Sequence, residues 1–148
     1  MRIIIDFIDH SDQRYDTAGD WQWLGDNLVI AISDTGKENM NFLLAAHELV
    51  EAMLCRANDI ATDEVDEFDF TFRGTGDEPG DDPDCPYWYE HFAAETLERL
   101  LAQDLQVNWL DYQWAIDKLG RRPHGNETAD ARRPGAHPEY ERSTEEAG

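Results

Sequence analysis

Between Glu38 and Asn58 the chain carries Met40, Leu43, Leu44, Ala46, Leu49, Val50, Met53, Leu54 and Ala57, with few polar gaps. The spacing predicts a helix that is apolar around most of its circumference, and such a helix has to be buried. A single layer cannot hide it, so other elements must pack on both sides. At 148 residues the chain has the length of one ordinary domain. Its longest unbroken apolar runs, Leu28–Ile32 and Phe42–Ala46, are five residues each, whereas a membrane-spanning helix needs ~20.

The covering elements can be read from the remaining pattern. Residues 2–9 are β-branched and aromatic and predict a strand. Residues 10–20 are polar and predict a loop. Two apolar pieces within 21–33, separated by Gly25, Asp26 and Asn27, predict a hairpin with a turn longer than the minimum. Phe68, Phe70 and Phe72 alternate with polar residues and predict a short strand, with a helix end followed by a turn as the alternative. A second helix is expected over 87–104, with Ala93, Ala94, Leu97, Leu100 and Leu101 as its apolar face. A third is expected over 109–119, ending at Gly120. After Arg121 the only large apolar residue is Tyr140, so residues 121–148 are expected to form a disordered polar tail. The fold class is therefore α+β: a small antiparallel sheet packed on the buried helix, plus two further helices, in one compact domain over 1–120.

Charge narrows the partners. The chain has 12 basic and 33 acidic residues, a net charge of −21. The first 120 residues hold 7 of those bases and 27 of those acids, so they carry −20. Affinity for a phosphate backbone comes mainly from Lys and Arg, so nucleic acid and anionic membranes are excluded as partners. A basic protein partner is compatible with such a surface, as is a role in mimicking nucleic acid. The two cysteines, Cys55 and Cys85, do not make a disulfide framework, and Asp6 and Asp9 interrupt any signal-peptide core. The expected compartment is a reducing cytoplasm.

His47-Glu48-Leu49-Val50-Glu51 is the segment that could carry chemistry. On a helix, positions i and i+4 lie about 40° apart, so His47 and Glu51 project from one face one turn apart. Two side chains so placed can hold one metal ion. Glu48, about 100° round from His47, could reach a water in the same place and act as its base. A His and two Glu in a buried stretch are costly unless they are paired, protonated or bound to a cation. The plain alternative is a His47–Glu51 pair at the edge of the core. A third ligand is expected from Glu90-His91 at the start of the second helix. His91 has the better ligand chemistry. Glu90 is its substitute, since it shares a face with Ala94, Leu97 and Leu101. Cys55, one turn beyond Glu51, is a lesser candidate that more often belongs to a core. Zinc, or another divalent metal, suits nitrogen and carboxylate donors. The acidic loop 77–84 lacks the ligand spacing of an EF-hand.

Ala45-Ala46-His47-Glu48-Leu49-Val50-Glu51-Ala52, Glu78-Pro79-Gly80-Asp81-Asp82-Pro83, Pro86-Tyr87 and Glu90-His91 together resemble small proteins encoded by tailed phages and prophages. The resemblance covers roughly residues 40–112 and implies the cytoplasm of a bacterial host. More distantly, the strands followed by the His47-Glu48 helix are similar to zincin metallopeptidases. That likeness implies a minimal zincin-like domain holding zinc, with Glu48 as general base in hydrolysis. Glu51 stands where those peptidases have a second His.

Overall fold

The computed structural model describes residues 1–74 and 78–119. The expected tail, 121–148, and the Gly120 stop lie outside the described residues. The fold is α+β. Three strands, β1 (Arg2–Ile8), β2 (Gly19–Leu24) and β3 (Asn27–Ser33), form one sheet in the order β1-β3-β2. Four α-helices follow: α1 (Glu38–Ala57), α2 (Thr62–Thr71), α3 (Trp88–Asp104) and α4 (Trp109–Asp117). A single 3-10 turn, Pro79–Asp81, lies between α2 and α3.

β2 and β3 form the expected hairpin, with Trp21 opposite Ile30 and Trp23 opposite Leu28. The turn is tighter than expected. Only Gly25 and Asp26 separate the strands, and Gly25 takes a positive φ of 61°, which glycine adopts without steric cost. The expectation of an all-antiparallel sheet is corrected: β1 pairs parallel to β3, with Ile3 opposite Leu28 and Phe7 opposite Ile32. Residues 9–18 carry the chain from the end of β1 to the far side of β3, so β2 starts on the opposite edge and β3 returns between them in the direction of β1.

The face of the sheet formed by Leu28, Ile30, Ile32 and Trp21 is buried beneath α1. α1 is in turn flanked by α3, which gives the buried helix its two covers. The pattern of α1 follows from this, since Leu43, Leu44, Ala45, Ala52 and Cys55 are buried. Burying a side chain of Leu size stabilises by about 1.5–3 kcal/mol, so this helix is the main apolar support of the fold.

Two further expectations are corrected. Phe68–Phe72 is not a strand but the C-terminal part of α2 and the residue after it, which makes three helices beyond α1 rather than two. The physical reason is a second periodicity in the same residues. Val65, Phe68 and Phe72 are spaced by three and four; Val65 is buried and the other two half-buried, while Phe70 faces out. α3 is also rotated about its axis from the reading of its leucines: Ala94 is buried and Leu101 packs on the core as expected, but the inward face is centred on the polar side. Its buried residues are Glu90, His91, Ala94, Glu98 and Ala102, and Leu97 and Leu100 are exposed. Polar groups turn inward there because they have partners on α1, α4 and the α1–α2 connection.

Candidate metal centre

His47 and Glu51 project from α1, and His91 projects from the first turn of α3 toward them. His91 Nδ1 lies 2.8 Å from Glu51 Oε2 and 3.2 Å from His47 Nε2, and His47 Nε2 lies 3.4 Å from Glu51 Oε2. All three residues are buried. One ligand atom from each therefore meets the others at a single point. Ligand atoms on a tetrahedral zinc, with bonds of about 2.0–2.1 Å, stand roughly 3.3 Å apart. Two imidazole nitrogens and one carboxylate oxygen are also donor types that zinc accepts. The residues fit a divalent ion.

The atoms that do not face this point are held from behind. Glu98 Oε2 lies 3.0 Å from His47 Nδ1, and the hydroxyl of Tyr112 on α4 donates to the other Glu98 oxygen. The Trp21 indole donates to Glu51 Oε1 at 2.8 Å. His91 Nε2 faces Asp81 Oδ1 at 3.5 Å and Glu78 Oε2 at 3.9 Å. A hydrogen bond from one ring nitrogen fixes the tautomer and leaves the other nitrogen's lone pair for a metal. On the His91 side Gly80 leaves room for the ring, because a Cβ there would collide with the imidazole.

The charges respond to the same contacts. Burial pushes the Glu51 carboxyl up, but hydrogen bonds from His47 and His91 outweigh it and hold the group at about 2. Burial pushes His47 and His91 down, yet both end above the ordinary histidine value. Glu51 and Glu98 raise His47, and Glu51 raises His91. The triad is thus an ionised carboxylate between imidazoles that favour charge, an arrangement a dication can replace.

Glu48 lines the same cleft, half-buried, and lies so close to Gly19 of β2 that a Cβ at Gly19 would meet its carboxylate. Loss of solvent, then the neighbouring Glu51 carboxylate, push its pKa well above the usual range against the pull of His47. A carboxyl so placed holds its proton more tightly than an exposed one.

The structure brings together His47, Glu51 and His91 and leaves Glu90 elsewhere. Glu90 is buried, and its Oε1 accepts from Asn58 Nδ2 at 2.7 Å. Cys55 and Cys85 are both free and buried, and they belong to the core. Glu98, Tyr112 and Trp21 went unread in the sequence. Glu98 carried a usable signal, since it follows His91 by seven residues, two turns along the same face. Tyr112 and Trp21 carried none, because neither is near the triad in the chain.

A second polar group extends the cleft. Asp69 of α2 accepts from Tyr87 OH at 2.5 Å and from Tyr15 OH at 2.9 Å. Burial pushes its carboxyl up to about 7 against those two donors. Beside it, Arg14 joins Asp20 of β2 to Asp66 of α2, with contacts of 2.6 and 2.9 Å. These links tie α2 and the loop after β1 to the β2 edge of the sheet.

Compared with known proteins, the chain matches no family model, no curated protein and no solved structure. Among the described residues, no helix is long and apolar enough to cross a membrane.

Proposed function

We propose that this chain is a divalent-metal protein, with zinc as the best-suited ion, and that its centre serves hydrolysis. The observation that carries the reading is the convergence of His47 Nε2, Glu51 Oε2 and His91 Nδ1 within 3.4 Å of one another, inside a cleft rather than a sealed core. Three protein ligands leave a fourth position for water or substrate, the pattern of catalytic rather than structural zinc. Bound there, the ion supplies Lewis acidity and brings a water's pKa toward neutrality. Glu98 and Trp21 hold the ligands in place. Glu48, which lines the same cleft, takes a proton from water there and passes it to the leaving group. The motifs over 40–112 support placing the chain among small tailed-phage proteins acting in the host cytoplasm, and the strand-then-helix order supports the distant likeness to zincins.

The test is elemental analysis of protein purified without a histidine tag, with melting measured before and after chelation. We expect one equivalent of metal per chain and a lower Tm after chelation, since a ligand bound only to the folded state stabilises it. His47→Ala should lose the metal. Glu48→Gln should keep it while abolishing hydrolysis of any substrate found. Metal-free protein whose Tm ignores both chelator and added zinc would overturn the reading and leave a buried hydrogen-bonded triad in an acidic interaction protein.

A further inference from the structure

We infer that the cleft selects a cationic ligand, one presenting a guanidinium or alkylammonium group. The inference rests on the metal reading for the location of the site and deepens it by naming the class of molecule that enters.

The lining of the cleft is predominantly acidic. It includes ten carboxylates, and among the described residues no lysine or arginine contributes to it. Two guanidinium groups beside it are each spent on a lining carboxylate, Arg14 on Asp20 and Arg99 on Glu95. Arg14 is held by Asp20 and Asp66. Arg99 pairs with Glu95 at 2.6 Å and lies over the Trp109 ring at 4.1 Å. A dication balances Glu51 and one further carboxylate only. Glu48, Glu78 and Asp81 remain, and the last two have side chains about half exposed, 49% and 53%, where a ligand approaching His91 would pass. Low-dielectric walls concentrate the field of such groups in a cleft, which draws in cations and turns anions away.

The walls reinforce the same choice. Tyr15 stands on the α2 side and Trp109 on the α4 side, both half-buried. Aromatic faces attract guanidinium and ammonium groups. The Arg99–Trp109 contact is an instance within this molecule. An anionic peptide or a phosphate ester would meet Glu78 and Asp81 on its way to His91, with no lysine or arginine in the described lining to receive it.

The experiment titrates three blocked tripeptides, acetyl-Ala-Arg-Ala-amide, acetyl-Ala-citrulline-Ala-amide and acetyl-Ala-Glu-Ala-amide, into zinc-loaded and chelated protein by calorimetry. Citrulline keeps the shape of arginine without its charge. A fourth arm uses 1,5-diaminopentane, to separate a peptide-borne cation from a free amine. We expect the arginine peptide or the diamine to bind at least tenfold more tightly than the citrulline peptide at low salt, and the glutamate peptide not to bind. Raising NaCl from 20 to 500 mM should shrink the preference, and Glu78→Gln with Asp81→Asn should reduce it below threefold. Binding of the arginine and citrulline peptides within threefold of each other, binding of the glutamate peptide, or no binding by any cationic arm overturns the inference. Zinc content, measured on the same samples, tells that failure apart from failure of the metal reading, because charge preference is also measured in the chelated protein.

Discussion

The His47 imidazole sits between two demands. Its Nε2 faces the triad and its Nδ1 faces Glu98, which is itself engaged by Tyr112. Outer partners of this kind typically change metal affinity by 10–100-fold when altered. Glu98→Gln should therefore weaken zinc binding by about that factor in a chelator competition, without removing the site. An unchanged affinity would mean that the contact to His47 Nδ1 does not set the ring. Asp69 allows a separate test, because it lies outside the triad. Its folded-state pKa, about 7, is raised above that of an unfolded carboxylate. A raised carboxyl contributes stability that is complete below its unfolded value and is lost as pH rises through its folded value. The metal-free protein should lose Tm between pH 5 and 8, and Asp69→Asn should lose distinctly less over the same range. Parallel pH profiles for the two proteins would contradict this. Sequence spacing was enough to pair His47 with Glu51, because helical geometry alone aligns them. Choosing His91 over Glu90 needed donor chemistry. Asp69 was not legible, since its two tyrosine donors come from other segments.

α3 is the element whose orientation the sequence misleads about most. Leu97 and Leu100 look like an inward face, yet they are 46% and 56% exposed, while Ala94 is fully buried. Small residues at 94 and 102 let α3 approach α1 closely, and the approach brings His91 and Glu98 to their partners. Hydropathy alone weights leucine above alanine and so rotates the helix away from its true inward face; the polar groups that need partners decide instead. Leu100→Gln should accordingly change stability by no more than about 0.5 kcal/mol, as ordinary surface substitutions do. Ala94→Leu should cost about 1–3 kcal/mol by overpacking, read as a drop in denaturation midpoint. The reverse ranking would refute this orientation of α3. α2 was hidden for a related reason, since its phenylalanines satisfy two periods at once and only burial of Val65 chooses the helical one. α1 and the β2–β3 hairpin, by contrast, carry a single period each and were readable with boundaries close to those observed.

At the scale of the whole molecule the sheet has unlike edges. The β2 edge is tied to α2 through Arg14, Asp20 and Asp66, and the Trp23 backbone N–H reaches Thr62 Oγ1 at 3.4 Å. The β1 edge carries Ile3, Ile5 and Phe7, all exposed by 37% or more, on the same face that β3 buries. The order of the strands was not legible because a period of two reveals faces and not neighbours. Within the sheet β1 pairs with β3 alone, in a parallel ladder with partners 25 residues apart in the chain. Such a pairing must close a long loop before it gains anything, whereas the β2–β3 hairpin closes across two residues. Assembly is therefore expected to be ordered in time, with the hairpin and α1 forming a platform onto which β1 docks last. In pulsed hydrogen exchange during refolding, β2 and β3 amides should gain protection before those of β1, and simultaneous protection would argue against the sequence of events. During synthesis β1 emerges 25 residues ahead of its partners, so its ladder cannot be completed until Ser33 has followed it out of the ribosome.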